Sequence, residues 1–216
     1  MDIIKKLAQE LAIKEEQAKA AVQLIDEGNT IPFIARYRKE MTGALNDETL
    51  RNLHERLLYL RNLEEKKEQV INAITDQGKM TEDLKKKILS AETLVAVDDL
   101  YRPYRPKKQT RATKAKEKGL EPLANILLLQ KTTKSMEEEA AAFVNAEKGV
   151  ANAKEAIAGA KDIIAEMIAD MADYRKSIRN CTMKQGSLVV KAKDEKAESV
   201  YEMYYDFREP LSKVTG

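Results

Sequence analysis

Tryptophan is absent from the 216 residues, and phenylalanine (3), cysteine (1), histidine (1), proline (5) and glycine (8) are all scarce. The single cysteine, Cys181, excludes an internal disulfide and a thiolate-held metal cluster. No zinc-ligand spacing, glycine-rich phosphate loop, Walker sequence or nucleophile elbow is present. No apolar run approaches the roughly 20 residues of a membrane span. The start, Met1-Asp2-Ile3-Ile4-Lys5-Lys6, lacks the build of a signal peptide, so the expected compartment is the cytoplasm. What is abundant is charge, at 34% of residues, with few aromatics at 5%. Little Gly and Pro with much charge is the balance of a helix-rich soluble chain rather than a β-sandwich or a disordered tail.

Apolar spacing of three and four supports that expectation along most of the chain. Ile3, Ile4, Leu7 and Leu11, then Ala18, Ala21, Val22 and Ile25, predict two short helices parted near Ile13-Lys14. Asn29-Thr30 before Ile31-Pro32 predicts the start of a third. Asn46-Asp47-Glu48 caps a long helix to about Gln77, with Leu50, Leu53, Leu57, Leu60, Leu63, Val70, Ile71 and Ile74 as its buried stripe, interrupted by Lys67. After Gly78, Thr81-Glu82-Asp83 begins an antiparallel partner. Leu94-Val95-Ala96-Val97 fits either strand or helix.

Further on, Glu121-Pro122 starts a helix, and Ser135 with Glu138 and Asn152 with Glu155 fit capping boxes. A long stripe runs from Ile157 through Met171 to Ile178. Ser187–Lys191 reads as a strand, and Val200, Tyr204 and Phe207 predict a last helix before Pro210. The fold class is therefore all-α: an elongated multi-helix scaffold with a long helical hairpin, a small helix-turn-helix-like bundle and at most one short strand pair near residues 187–193. The expected divisions are 1–45 short helices, 46–97 the hairpin, 98–122 a connector and 123–216 a second helical region.

The connector carries the strongest local signal. From Tyr101 to Lys118 there are eight Lys or Arg against one acid, Glu117, a local charge of +7, whereas the whole chain sums to +2. The basicity is therefore a patch. Pro103 and Pro106 predict an extended run from Tyr101 to Lys107. Planar cations beside aromatic faces suit phosphates and stacked bases, which makes Tyr101, Arg102, Tyr104, Arg105, Lys107, Lys108, Arg111 and Lys114 candidate nucleic-acid contacts. The competing reading is a Pro-rich connector whose tyrosines pack on helices and whose cations pair with acidic faces. Arg36, Arg38 and Lys39 form a second basic cluster, with Arg36 equally able to pair with acids of the long helix. His54 reads as a helix-surface residue and Cys181 as an incidental thiol. Asp98-Asp99 reads as a cap or a partner of Arg102 and Arg105. No catalytic residue, metal site or cofactor is expected.

Thr30-Ile31-Pro32-Phe33-Ile34-Ala35-Arg36-Tyr37-Arg38-Lys39-Glu40-Met41-Thr42-Gly43 and Asp99-Leu100-Tyr101-Arg102-Pro103-Tyr104-Arg105-Pro106-Lys107-Lys108-Gln109-Thr110-Arg111, continued by Gly119 to Ala124, closely resemble signature blocks of the N-terminal region of the bacterial Tex family of transcription accessory proteins. Ala158 to Glu166 and Tyr204 to Leu211 also look like family blocks. The resemblance implies an almost wholly helical module. In full-length members an RNase H-like domain, helix-hairpin-helix motifs and an OB-type RNA-binding domain follow, so the chain is expected to be cut before them. It also implies a nucleic-acid role, with RNA or DNA as partner and no catalysis in this region. The alternative is a protein-interaction scaffold docking on RNA polymerase or the ribosome. An enzyme, such as a nuclease completed by the RNase H-like domain, is the less favoured rival.

Overall fold

In a computed structural model, residues 2–106, 108–194 and 196–214 are described. The chain divides into two compact units, Met1–Tyr101 and Arg102–Gly216. Among the described residues there are eleven α-helices and one two-stranded sheet, as the all-α expectation requires.

The first unit is built around α4, Asp47–Asp76, about 45 Å long at ~1.5 Å per residue. The Asn46 side chain accepts a hydrogen bond from the Thr49 amide at 2.7 Å, and Asp47 and Glu48 lie in the positive first turn. α1 (Ile3–Glu10), α2 (Glu15–Asp26) and α3 (Ile31–Tyr37) pack on its N-terminal half. They enclose a core of Leu7, Leu24, Ile34, Leu50, Leu53, Leu57 and Leu60. Each such side chain is worth about 1.5–3 kcal/mol of apolar burial. Two forked ion pairs pin the short helices to α4. Arg56 donates to both oxygens of Glu10 at 2.6 and 2.9 Å, and Arg61 to both of Asp26 at 2.7 Å.

The chain turns at Gly78, whose φ of +66° disfavours a β-carbon, into α5 (Glu82–Ser90), capped by Thr81. Lys67 does not interrupt the buried stripe but belongs to it. It is 2% exposed, and its ammonium donates to Glu64 Oε1 and to the Leu89 carbonyl, each at 2.9 Å. The stem fills the interface while the head satisfies a carbonyl at the α5 terminus. Leu94–Tyr101 is helical, α6, and resolves the ambiguity of Leu94 to Val97. The Tyr59 hydroxyl accepts the Leu94 amide at 3.2 Å.

In the second unit, α10 (Ala153–Asp170) packs against α7 (Arg111–Glu117), α8 (Glu121–Leu129) and α9 (Met136–Ala141). Its core is rich in small residues, with Ala112, Ala115, Leu120, Leu123, Ala140, Ala156, Ala160 and Ile163 all buried. Gly159 sets the closest approach. A β-carbon there would lie 2.4 Å from Leu120 Cδ1 and 3.3 Å from the Ala115 β-carbon.

The Ser135–Glu138 capping box forms in both directions. Asn152 caps α10, but Glu155 reaches back to the Ala151 amide instead. The long apolar stripe breaks at Met171, after which α11 (Ala172–Gln185) follows. The stripe's second half is not core: Met167, Ile168, Met171 and Ile178 are exposed, and α11 buries no residue.

The expected final helix is instead β2, Asp206–Pro210. It pairs antiparallel with β1, Ser187–Lys191, in the register Ser187 to Pro210 and Lys191 to Asp206. A lone β1 would leave a row of backbone donors and acceptors unpaired, and the alternating burial of Asp-Phe-Arg-Glu-Pro supplies the partner.

Candidate nucleic-acid interface

The segment from Arg102 is not extended as the prolines suggested. Arg102–Tyr104 is a single 3-10 turn directly after α6, because the φ that proline imposes fits a 3-10 turn as well as a polyproline one. Thr110 then caps α7, its hydroxyl oxygen accepting the Thr113 amide at 3.0 Å and its hydroxyl lying 3.0 Å from Glu166 Oε1. Much of the basic run is therefore helical. On that helix Arg111, Lys114 and the cap residue Lys118 fall at spacings of three and four, which brings them to one side.

That side faces α10 across an open cleft of about 280 Å³. The α7 rim carries Arg111, Lys114 and Lys118, the α10 rim carries Glu155 and Asp162, and Ala115, Ala158, Gly159, Leu120 and Val150 form the floor. Arg111 lies 3.6 Å from Asp162 yet leaves 87% of its side chain exposed. Lys118 donates to the Gly149 carbonyl at 2.7 Å, closing the end where the Asn145–Val150 bridge makes a tight turn. Lys114 is exposed between them, with no ion pair among the described residues. Small floor residues let the helices approach, so the charged rims rather than bulky side chains define the cleft.

The other expected contacts divide by what holds them. Arg102 donates to Asp170 Oδ1 at 2.9 Å and is tied down. Arg105 and Lys108 are exposed, Tyr101 and Tyr104 are half-buried, and Lys107 lies outside the described residues. Asp98 sits on α6 and faces Lys66 at 3.7 Å, while Asp99 is buried. Lys116 pairs with Glu121 at 3.3 Å. In the first unit Arg36, Arg38 and Lys39 are exposed at and just after the end of α3. Arg36 and Lys39 make no ion pair among the described residues, while Arg38 lies over the Phe33 ring at 5.1 Å. Two acids of the first unit, Asp26 and Asp47, find other partners, Asp26 with Arg61 and Asp47 with Arg51.

Sequence reasoning missed Lys118 and the acidic rim opposite it. The spacing of 111, 114 and 118 was the available signal, but it has meaning only on a helix. It also missed Phe33 and Tyr37, whose rings lie 5.3 Å apart and leave Tyr37 66% exposed. The perturbed carboxyls lie elsewhere. Hydrogen bonding from Arg56 holds Glu10 below its ordinary value against a smaller opposing effect of burial, and Arg61 does the same for Asp26. Those pairs are pins of the fold. Among the described residues no cluster of three or more His, Cys, Asp or Glu is arranged to hold a metal ion, and no helix is long and apolar enough to cross a membrane.

Residues 1–75 match the family model described as Tex-like protein N-terminal domain, and residues 131–216 the one described as Tex central region-like. Protein YhgF of Escherichia coli is 46% identical over 96% of this chain and 27% of its own length. Transcriptional accessory protein Tex of Neisseria gonorrhoeae is 42% identical over 98% of this chain and 28% of its own. The human S1 RNA-binding domain-containing protein 1 is 32% identical over 85% of this chain and 18% of its own. The chain thus spans less than a third of the length of these curated relatives.

Proposed function

The chain belongs to the Tex family, whose N-terminal and central regions it carries, and we propose that it is a helical module of a cytoplasmic transcription accessory factor that grips RNA or DNA by its phosphates without reading sequence. The relatives' names, a transcriptional accessory protein and an S1 RNA-binding domain-containing protein, support a nucleic-acid-related role. The observation that carries the phosphate reading is the α7 face. Lys114 and the nearby Lys108 have no ion pair among the described residues, and Arg111 is 87% exposed beside a long 3.6 Å pair. Charges held so loosely are available to a phosphate, and Arg can engage it through two donors. Base edges are not addressed in this reading: the cations are assigned to phosphates, contacts that position a strand without carrying sequence information. In this reading α2 and α3 serve as the helix-turn-helix-like pair, with Arg36 on α3 and Lys39 two residues past its end. No catalytic step is assigned.

The test is a triple variant, Lys108→Gln, Arg111→Gln and Lys114→Gln, titrated with labelled single strands of different sequence. It should lose affinity about equally for every sequence, and its log-log salt slope should flatten by roughly 0.7 per contact removed. An unchanged slope would show that the three cations do not touch nucleic acid.

A second reading, a protein scaffold docking on RNA polymerase or the ribosome, draws on one observation. α11 buries nothing and exposes Tyr174, Ile178 and Met183. Binding to such a partner that survives ~0.5 M salt would favour it, since counterion release cannot produce that.

A further inference from the structure

The end of α3 combines features the phosphate reading does not use. Phe33 and Tyr37, four residues apart, sit on one side of the helix with ring centroids 5.3 Å apart and planes tilted by 46°. Phe33 is half-buried, and the Arg38 guanidinium covers its ring at 5.1 Å, so Phe33 and Arg38 act as a backing. Tyr37 is the open end, with 66% of its surface in water. An aromatic this exposed draws little from the fold beyond its contact with Phe33, and the local apolar burial comes from Ile34 one turn back, fully enclosed in the core. Arg36 and Lys39 lie within two residues of Tyr37 in the chain, exposed and without ion pairs among the described residues, and Glu40 is the single acid between residues 36 and 41.

The backbone that carries these side chains is fixed. Thr42 is fully buried, and its hydroxyl lies 3.3 Å from both the Arg38 and Lys39 carbonyls. The Ala44 amide donates to the Lys39 carbonyl at 2.7 Å, and the Gln17 side-chain amide donates to the carbonyls of Thr42 and Gly43 at 3.2 and 3.0 Å. An exposed ring with unpaired cations close by in the chain, next to a pinned turn, combines a stacking face with phosphate partners.

We propose that Tyr37, backed by Phe33 and Arg38, stacks on one unpaired base of a single-stranded nucleic acid while Arg36 and Lys39 take the neighbouring phosphates. This rests on the phosphate-contact reading above and adds to it a preference for unpaired over paired strands. A base inside a duplex presents its edges and not its face, so only a single strand can use the ring.

The probes are a labelled 12-nucleotide oligouridylate and an abasic 12-mer with the same sugar-phosphate chain, measured by fluorescence anisotropy against residues 1–216. The wild type should bind the base-bearing strand about tenfold more tightly than the abasic one, as one stacked base allows. Tyr37→Ala should erase that preference and leave abasic affinity unchanged, Tyr37→Phe should keep it, and Tyr37→Leu, which retains apolar bulk without a ring, should lose it. Binding of both strands without preference, or a preference that survives Tyr37→Ala, overturns the stacking site and leaves the phosphate reading standing. Failure to bind either strand at low salt overturns both.

Discussion

Replacing Gly159 with alanine sets two sound expectations against each other. Gly159 lies inside α10, where alanine is ordinarily favoured over glycine by about 0.8–1 kcal/mol. The added methyl would stand 2.4 Å from Leu120 Cδ1 and 3.3 Å from the Ala115 β-carbon. Leu120 is 1% exposed and Ala115 4% exposed, so Leu120 has little room to rotate away, and the alanine has no rotamer to change. Overpacking of a closed core by one methyl costs roughly 1–3 kcal/mol. The packing penalty should win, for a net loss of about 1 kcal/mol and a melting point lower by roughly 3 °C. Urea unfolding followed by circular dichroism measures it, with Ala165→Gly on the exposed side of α10 as the control for helix propensity alone, expected to cost about 1 kcal/mol. A Gly159→Ala protein as stable as the wild type, or more so, would refute the claim that α7 and α10 are held at contact through this glycine.

Three other outcomes follow from the packing. Lys67→Met keeps the buried stem but leaves the Leu89 carbonyl without its ammonium donor, and should cost about 1–2 kcal/mol in denaturant unfolding. Ser135→Ala removes one arm of the α9 capping box and should cost about 1 kcal/mol, read as lost protection of the Glu138 amide in hydrogen exchange. Glu10 and Asp26 are held below their ordinary values of 4.5 and 3.8, so their contribution is complete above those values and fades as acid protonates the folded carboxyls. Both pairs are about a third or more exposed, so solvent screening keeps each to about 1 kcal/mol or less. Unfolding curves of Glu10→Gln and the wild type should differ at pH 7, and the difference should shrink as pH falls below 4.5 and the folded carboxyl protonates.

How far the sequence could be read depended on whether the deciding interaction was local. Asn46, Thr81 and Ser135 each announce a helix start within three residues, and each bonds as expected, since a cap is satisfied by its own turn. Lys67 looked like a break in the stripe because its compensation comes from Leu89, twenty-two residues away. Tyr204 and Phe207 have helical spacing, yet Asp206–Pro210 is a strand, because β1 needs a partner and that demand is not written in the segment itself. At the basic stretch Pro103 and Pro106 predict an extended run from Tyr101 to Lys107, whereas Pro103 sits in a 3-10 turn, and the helix that Thr110 opens beyond it has no apolar stripe long enough to announce it. A charge count locates a patch, but whether each cation is spent on a neighbour, as Arg102 is on Asp170, or left exposed, as Lys114 is, is decided only by the fold.

The central claim is that exposed cations of this chain hold nucleic acid by its phosphates. Its most direct test is the affinity of residues 1–216 for a labelled single strand across salt from about 50 to 300 mM. With Lys108, Arg111 and Lys114 engaged, the log-log slope should be roughly −2, the same for every sequence tried. Binding with a slope near zero, or no binding at the lowest salt, would contradict the account.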